Sequence, residues 1–323
     1  MELGLILTQR CNAQCTHCAT DCGPYHTQTL AIEKVAALMD DAARLTPAGE
    51  RLDFSLSGGE PFLDLDYLIA IVKYGSSLGA TVSCVTNAFW ASSDLKAQAI
   101  VARVRSAGLT RIAASTSRFH QRFVPIERVQ RALSAARVAG IYTLLKVAYC
   151  AEDTEEGLVQ HWEEFVGADS LQAFPIAPYL RRGAGLPETS FVKVTGLPEG
   201  RCPSPSLTIR EDGRAYTCCT PGAFEPLLQL GSIHDNSLED IVAEFQFGLV
   251  LQVLREAGPR YFAEYAVARG QGSRLRNTYV DECDLCAHIA SDPALSRTAR
   301  TCARQYRKDW ASRIVESLSN DNH

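Results

Sequence analysis

Cys11, Cys15 and Cys18 stand as CxxxCxxC in the segment TQRCNAQCTHCATDCGP, directly after a strand-like apolar run. Three thiolates at these separations wrap one corner of an iron-sulfur cubane and leave one iron without a protein ligand. An open position of that kind lets a small molecule bind metal through its own amino and carboxylate groups. The competing reading is a structural zinc knuckle, which the nearby Cys22 keeps open. A second set lies far along the chain: Cys202 and Cys218 stand as C-x10-G-x4-C around Gly213, and Cys283 and Cys286 form CxxC in DECDLCAH. Four thiols from two distant segments predict a second metal centre, with zinc again the alternative and Cys302 a possible substitute for one of the four.

Composition limits what such centres are for. The 323 residues suffice for one large domain, or a large one with a smaller appendage, and 46% hydrophobic with 21% charged residues is ordinary for a globular enzyme. Twelve cysteines without an export signal point to metal binding or chemistry in a reducing cytosol rather than to disulfides. The formal net charge of -5 and the lack of a Lys/Arg run argue against nucleic acid as a partner. MELGLILTQRCNAQC is too short an apolar run for a signal peptide, and nothing later approaches the ~20 apolar residues of a spanning helix. A cytoplasmic protein without membrane partners is expected.

The elements that must position the cysteines alternate regularly. Strand patterns in ELGLILTQ, RLDFSLS, TVSCVTN, TRIAASTS, YTLLKVAYC and SLQAFPIA alternate with helical patterns in TLAIEKVAALMDDAARL, DLDYLIAIVKYGSSLG, SDLKAQAIVARVRSAG, IERVQRALSAARVAG and TEEGLVQHWEEFV. Gly79, Gly108 and Gly140 stand where helices need left-handed caps. Six βα units imply parallel strands with right-handed crossovers, in an α/β open partial barrel, a doubly wound sheet being the alternative. Ligands then belong beyond the carboxyl ends of the strands. After about residue 180 the alternation stops. We divide the chain into a barrel over 1–180, a Gly/Pro-rich linker over 181–200 and a cysteine-bearing region over 201–323, with a hairpin turning at Asp212-Gly213 and helices around SLEDIVAEFQFGLVLQVLREAG and RYFAEYAVARG.

The second strand ends in SLSGGEPFLD, which places Gly58, Gly59 and Glu60 at the same rim as the cysteine loop. Paired glycines allow close backbone approach to a ligand, and Glu60 can accept from an ammonium group. Together, CxxxCxxC after strand one and GGEP after strand two resemble the radical S-adenosylmethionine superfamily, over roughly residues 1–180. The resemblance implies a 4Fe-4S cluster on Cys11, Cys15 and Cys18, and S-adenosylmethionine held by Gly58, Gly59 and Glu60. His17 takes the place of an aromatic residue near the adenine, while Asn87 of TNAFW and Ser115 of STS fall where the family contacts sugar or carboxylate. The implied reaction is reductive cleavage of S-adenosylmethionine, followed by hydrogen abstraction from an unactivated C–H bond.

The C-x10-G-x4-C pattern is similar to the SPASM and twitch extensions of such enzymes. Because position 292 is Asp292 and most of the longer SPASM tail is missing, one auxiliary 4Fe-4S cluster on Cys202, Cys218, Cys283 and Cys286 fits better than two. The whole chain further resembles epipeptide-type peptidyl epimerases, in the Cys22-Gly-Pro segment, GGEPFLD, TNAFW, STSRFHQRFVP, CCTPGAFE and the terminal CxxC. Side chains adjacent in a strand face opposite ways, so a ligand at Cys218 would turn Cys219 away, toward the barrel mouth. The resemblance makes Cys219 the hydrogen donor that yields a D-residue in a ribosomally made peptide; the plainer reading is a small buried apolar side chain. His120 either contacts substrate or is an ordinary loop histidine. The partners implied are a peptide and an electron donor such as flavodoxin or ferredoxin. With ten residues before Cys11, no leader-recognition domain is expected ahead of the barrel. Other radical chemistry, namely peptide crosslinking or aminosugar epimerisation or dehydrogenation, is the alternative among enzymes, and a zinc-stapled scaffold the alternative outside them.

Overall fold

Short apolar runs bounded by polar turns become six strands: β1 (Glu2–Ile6), β2 (Asp53–Ser57), β3 (Thr81–Thr86), β4 (Leu109–Thr116), β5 (Tyr142–Tyr149) and β6 (Leu171–Pro175). The structure, a computed structural model, describes residues 1–153, 157, 162, 166, 170–179, 181–202 and 205–320. The strands pair in chain order and all in parallel, as the βα alternation requires. Helices α1 (Ile32–Leu45), α2 (Leu65–Ser77), α3 (Asp94–Ser106) and α4 (Ile126–Val138) make the crossovers. Their starts are capped where the sequence supplies an oxygen: Asp64 accepts from Tyr67 N at 3.0 Å, and Ser93 from Lys96 N at 3.3 Å. Gly79, Gly108 and Gly140 have φ of 78°, 106° and 70°, the left-handed caps expected of them. The helix read in TEEGLVQHWEEFV lies largely outside the described residues.

One core joins the strands to the helices, with Leu3, Leu5, Phe54, Leu56, Leu68, Ile71, Ile112 and Leu133 all at most 1% exposed. Apolar burial of this kind stabilises by roughly 25 cal/mol per Å² and holds the strand ends, and so the loops above them, in register.

The C-terminal half joins this sheet. Strands β7 (Val194–Thr195), β8 (Thr208–Ile209), β9 (Arg214–Tyr216), β10 (Gln229–Ser232) and β11 (Thr278–Tyr279) follow in the chain. The hairpin forms as read, with Gly213 at φ 81° and Gly213 N donating to Arg210 O at 2.8 Å. Its first strand, β8, then pairs in parallel with β1, giving nine strands in the order β10-β9-β8-β1-β2-β3-β4-β5-β6. Gly4 permits this contact, since a Cβ there would meet Thr208 Oγ1 at 3.0 Å. A buried Arg210–Glu211 ion pair of 2.7 Å sits at the junction, and Gln9 Nε2 donates to Glu211 at 2.7 Å, so the hairpin is fastened to the start of the cysteine loop.

Helices α5 (Leu238–Phe247), α6 (Leu249–Glu256), α7 (Pro259–Val267), α8 (Glu282–Ser291) and α9 (Pro293–Asn320) complete the fold. The sequence SLEDIVAEFQFGLVLQVLREAG makes two helices rather than one, because the chain turns to extended backbone at Gly248 (φ -61°, ψ 128°). A second core gathers Leu251, Leu254, Phe262, Tyr279, Leu285 and Leu295. No helix among the described residues is long and apolar enough to cross a membrane.

Candidate functional site

The cysteine loop leaves β1 and is held by its neighbours before any ligand is considered. Cys11 N donates to Gly23 O at 3.1 Å and Cys18 N to Cys15 O at 3.1 Å. From β2, Gly59 N donates to Thr8 O at 2.7 Å and Glu60 N to Arg10 O at 2.8 Å. The two glycines are needed for this approach. Gly58 has φ 146° and a Cβ on it would lie 2.5 Å from Thr8 O, while one on Gly59 would run into the Arg10 carbonyl. The glycine pair thus brings two loops together, beyond the ligand approach anticipated from sequence.

Glu60 departs from expectation. Its side chain is fully buried and takes hydrogen bonds from Phe62 N (3.1 Å), Thr86 Oγ1 (2.8 Å) and Asn87 N (2.7 Å). A carboxylate so enclosed ties the β2 loop to the β3 loop and does not offer itself to an incoming ammonium group. Burial pushes its pKa up to about 7, against the lowering effect of those three donors.

Above the strand ends lies a cavity of about 250 Å³, lined by Cys11, Cys15, Cys18, His17, Gly58, Gly59, Asn87 and Ser115 together. Residues separated by a hundred positions in the chain meet there because strands in parallel all end at one rim. The sequence reading missed Thr116, Lys146 and Phe174 on the same wall. Lys146 had left a signal: it is the one charge inside the apolar run YTLLKVAYC. Asn87 Nδ2 donates to Asn12 Oδ1 at 2.9 Å, which fixes its amide beside the cysteine loop.

His17 is 7% exposed, stacks on Phe119 at 4.8 Å between ring centroids and meets His120 edge-on at 4.7 Å. His120 also lines the cavity, its Nδ1 2.8 Å from Ser117 Oγ. Burial pushes the two imidazoles down to about 3 and about 4, so both are neutral near pH 7. His17 Nδ1 and Thr116 Oγ1 are buried without a protein partner, leaving polar atoms for a ligand in this cavity. Burial also pushes Cys11 up to about 12 and Cys15 up to about 11, whereas Cys18 is held below the ordinary thiol range, first by a hydrogen bond from the Cys22 thiol. Arg182, whose backbone N–H donates to Cys18 O at 3.2 Å, brings the cationic charge to this loop.

The second cysteine set is assembled from three places in the fold. Cys202, Cys218, Cys283 and Cys286 line one small cavity with Ala223, Leu228 and Leu254. Burial raises the thiols of Cys218, Cys283 and Cys286, Cys218 to about 12, because a bare thiolate there would lose water without gaining a partner. Cys302 is fully buried in the second core and does not line this cavity. Cys22 lines the first. Cys219 lines neither and is exposed. The strand alternation invoked for it does not operate, since β9 ends at Tyr216 and residues 217–220 lie outside any strand; Cys218 lines the four-thiol cavity, but Cys219 neither turns into the barrel mouth nor is buried. Among the described residues no three His, Cys, Asp or Glu side chains converge to hold a single ion; each cysteine set surrounds a space.

Comparison with known proteins gives two family matches, residues 5–151 to the radical SAM superfamily and residues 201–287 to an iron-sulfur cluster-binding domain, SPASM. YydG of Bacillus subtilis (strain 168), whose name assigns it provisionally to peptide biosynthesis, is 25% identical over 268 residues, covering 80% of this chain and 82% of that protein. Among solved structures, native anSMEcpe with bound AdoMet and a Cp18Cys peptide superimposes with a TM-score of 0.60 at 13% identity, covering both chains completely. BtrN in complex with AdoMet and 2-DOIA gives 0.51 at 14% identity, over 79% of this chain and 87% of that one. By these matches residues 5–151 are a radical SAM domain, whose 4Fe-4S cluster and S-adenosylmethionine are its cofactors, and residues 201–287 are a SPASM iron-sulfur cluster-binding domain.

Proposed function

We propose that this radical SAM enzyme is a peptide epimerase, in which Cys219 returns hydrogen to a peptide Cα to leave a D-residue. One observation carries the reading: of two adjacent cysteines, Cys218 turns into the four-thiol cavity and Cys219 remains the exposed thiol beside it. The name of YydG and the peptide bound to anSMEcpe support a peptide as the substrate class.

The residues present fit the family's cofactors. Cys11, Cys15 and Cys18 would hold the 4Fe-4S cluster at the cavity wall, and three thiols around an open space suit a cluster with one free iron. Gly58 and Gly59 through their backbone, with Asn87, Ser115 and His17, would position S-adenosylmethionine. Glu60 acts through the loops it ties, as a positioning residue. Cys202, Cys218, Cys283 and Cys286 would hold an auxiliary cluster. When bound, the reduced cluster and S-adenosylmethionine supply the deoxyadenosyl radical that takes the Cα hydrogen. Neutral His17 and His120 add no positive charge against a sulfonium ligand. Cys219 then gives its hydrogen atom from the opposite face: the S–H bond breaks, the Cα–H bond forms, and sulfur is left as a thiyl. One electron from an external donor of the flavodoxin or ferredoxin class and one solvent proton restore the thiol.

The test is turnover in deuterated water. The inverted residue should gain one solvent deuterium, because the Cys219 thiol exchanges. Cys219→Ala should still cleave S-adenosylmethionine and give no inverted product. Normal epimerisation by that variant would end the assignment.

A further inference from the structure

The groove beside edge strand β10 has the make-up of a peptide-docking site, and it adjoins the four-thiol cavity, with which it shares Thr217 and Leu228. It encloses about 420 Å³ between β10, the α5–α6 corner and α9. Leu227, Leu230, Leu249 and Val250 supply an apolar lining, and Phe247, 70% exposed, stands at its margin. The opposite wall carries Arg300, Arg304 and Arg307, spaced i, i+4, i+7 and so on one face of α9. Arg300 donates to Pro226 O at 2.6 Å and Arg304 to Thr301 Oγ1 at 3.3 Å; among the described residues none of the three guanidiniums has a carboxylate partner. Among the described residues Glu244 is the lone carboxylate on the lining. From 293 to 308, α9 holds Arg297, Arg300, Arg304, Arg307 and Lys308 and no acidic residue, in a chain whose formal charge is -5. β10 is the last strand of the sheet and its outer edge has no strand partner among the described residues; the following turn occupies Ser232, whose N–H donates to Asn236 Oδ1 at 3.1 Å, so the length of β10 that lines the groove is Gln229 and Leu230.

We infer that this groove takes an extended, acidic stretch of the substrate peptide, outside the residue that is changed. The stretch adds along the edge of β10, sets alternate apolar side chains on the leucine lining and pairs its carboxylates with the arginines. A solvated basic helix face accounts for the charges but not for their closing over an apolar floor. An acidic electron donor accounts for the arginines but not for the leucine floor beneath them, and the test below separates it. The inference rests on the peptide part of the proposed function and not on epimerisation, and binding is therefore measured without turnover.

The experiment uses the reconstituted holoenzyme and two fluorescein-labelled octapeptides, one alternating Leu with Glu and the other Leu with Lys, followed by fluorescence anisotropy. The acidic probe should bind about tenfold or more tighter than the basic one, and weaken as salt is raised. Arg304→Glu/Arg307→Glu should abolish that preference while S-adenosylmethionine cleavage under dithionite stays unchanged. Leu230→Arg, which spoils the floor and keeps the basic wall, should also weaken the acidic probe. Equal binding of the two probes, or undiminished acidic-probe binding by the double variant, overturns the inference. So does a double variant that keeps probe binding but loses turnover driven by reduced flavodoxin, which would give this face to the electron donor. Failure of Cys219→Ala to block epimerisation would sink the hydrogen-donor assignment and leave these binding results standing.

Discussion

The two cysteine cavities are built on opposite principles. The first takes three thiols from eight consecutive residues, on a loop that keeps its own backbone hydrogen bonds, and borrows its remaining walls from the ends of β2 to β6. The second takes thiols from segments as far apart as Cys202 and Cys286, and its walls are the leucines and alanines of the second core. A local loop leaves room beside its thiols for a second molecule, about 250 Å³ with unpaired polar atoms on the lining. Four thiols brought in from around a small space, about 30 Å³, leave no such room. The first arrangement suits catalysis and the second suits holding.

Removing single ligands should break the symmetry between them most sharply. Cys15→Ala should lower S-adenosylmethionine cleavage by on the order of 10³-fold, since no step precedes it. Cys286→Ala should keep cleavage within about tenfold of the parent but lose product, with iron falling by about half. Cleavage and iron content, assayed after anaerobic reconstitution, decide; equal loss of cleavage in both variants would contradict the comparison. Backbone packing gives the next contrast. Gly59→Ala pushes a Cβ into the Arg10 carbonyl and should cost roughly 100-fold in cleavage through displacement of the cysteine loop. Gly222→Ala places a Cβ 2.5 Å from that of Ala287, on the helix bearing Cys283 and Cys286, and should deplete the second centre's iron while sparing the first.

Glu60 sharpens the comparison from the side of stability. Glu60→Ala strands three buried donors and should cost about 3 kcal/mol in urea unfolding. Its proton gives a pH signature. The ordinary value is 4.5 and burial raises it to about 7, so between those limits the folded chain holds a proton that the unfolded chain has released. Stability should fall as pH rises through that window, by roughly 3 kcal/mol, and Glu60→Gln should flatten the profile of Tm against pH. The smallest effect is expected at His17. Phenylalanine there keeps the stack on Phe119, so His17→Phe should leave kcat unchanged and raise KM for S-adenosylmethionine by about two- to fivefold; a loss of kcat would mean that the ring does more than pack.

Much of this could be read directly. Strand and helix periodicity located all six parallel strands and four crossover helices, and the glycine caps fell where left-handed backbone occurs. The grouping of Cys202, Cys218, Cys283 and Cys286 was legible from spacing, and the structure brings them to one cavity. Other features were not legible. Glu60 reads as a ligand contact because sequence shows its type but not its direction, and three donors that converge from two loops decide that direction. Lys146, Thr116 and Phe174 join the wall only once strand register is fixed. The break at Gly248 is a choice of backbone that helical propensity alone does not make.

By itself the sequence determined the thiol spacings, the βα alternation and the close-approach glycines, because each depends on contacts within a few residues or on a period of the chain. Tertiary structure alone decided that the hairpin at Gly213 becomes part of the barrel sheet through β8 and β1, that Cys219 lies exposed outside both cavities, and that three arginines of α9 face the edge of β10. Those are pairings between segments far apart in the chain, and their selection depends on burying the apolar surfaces of both halves at once.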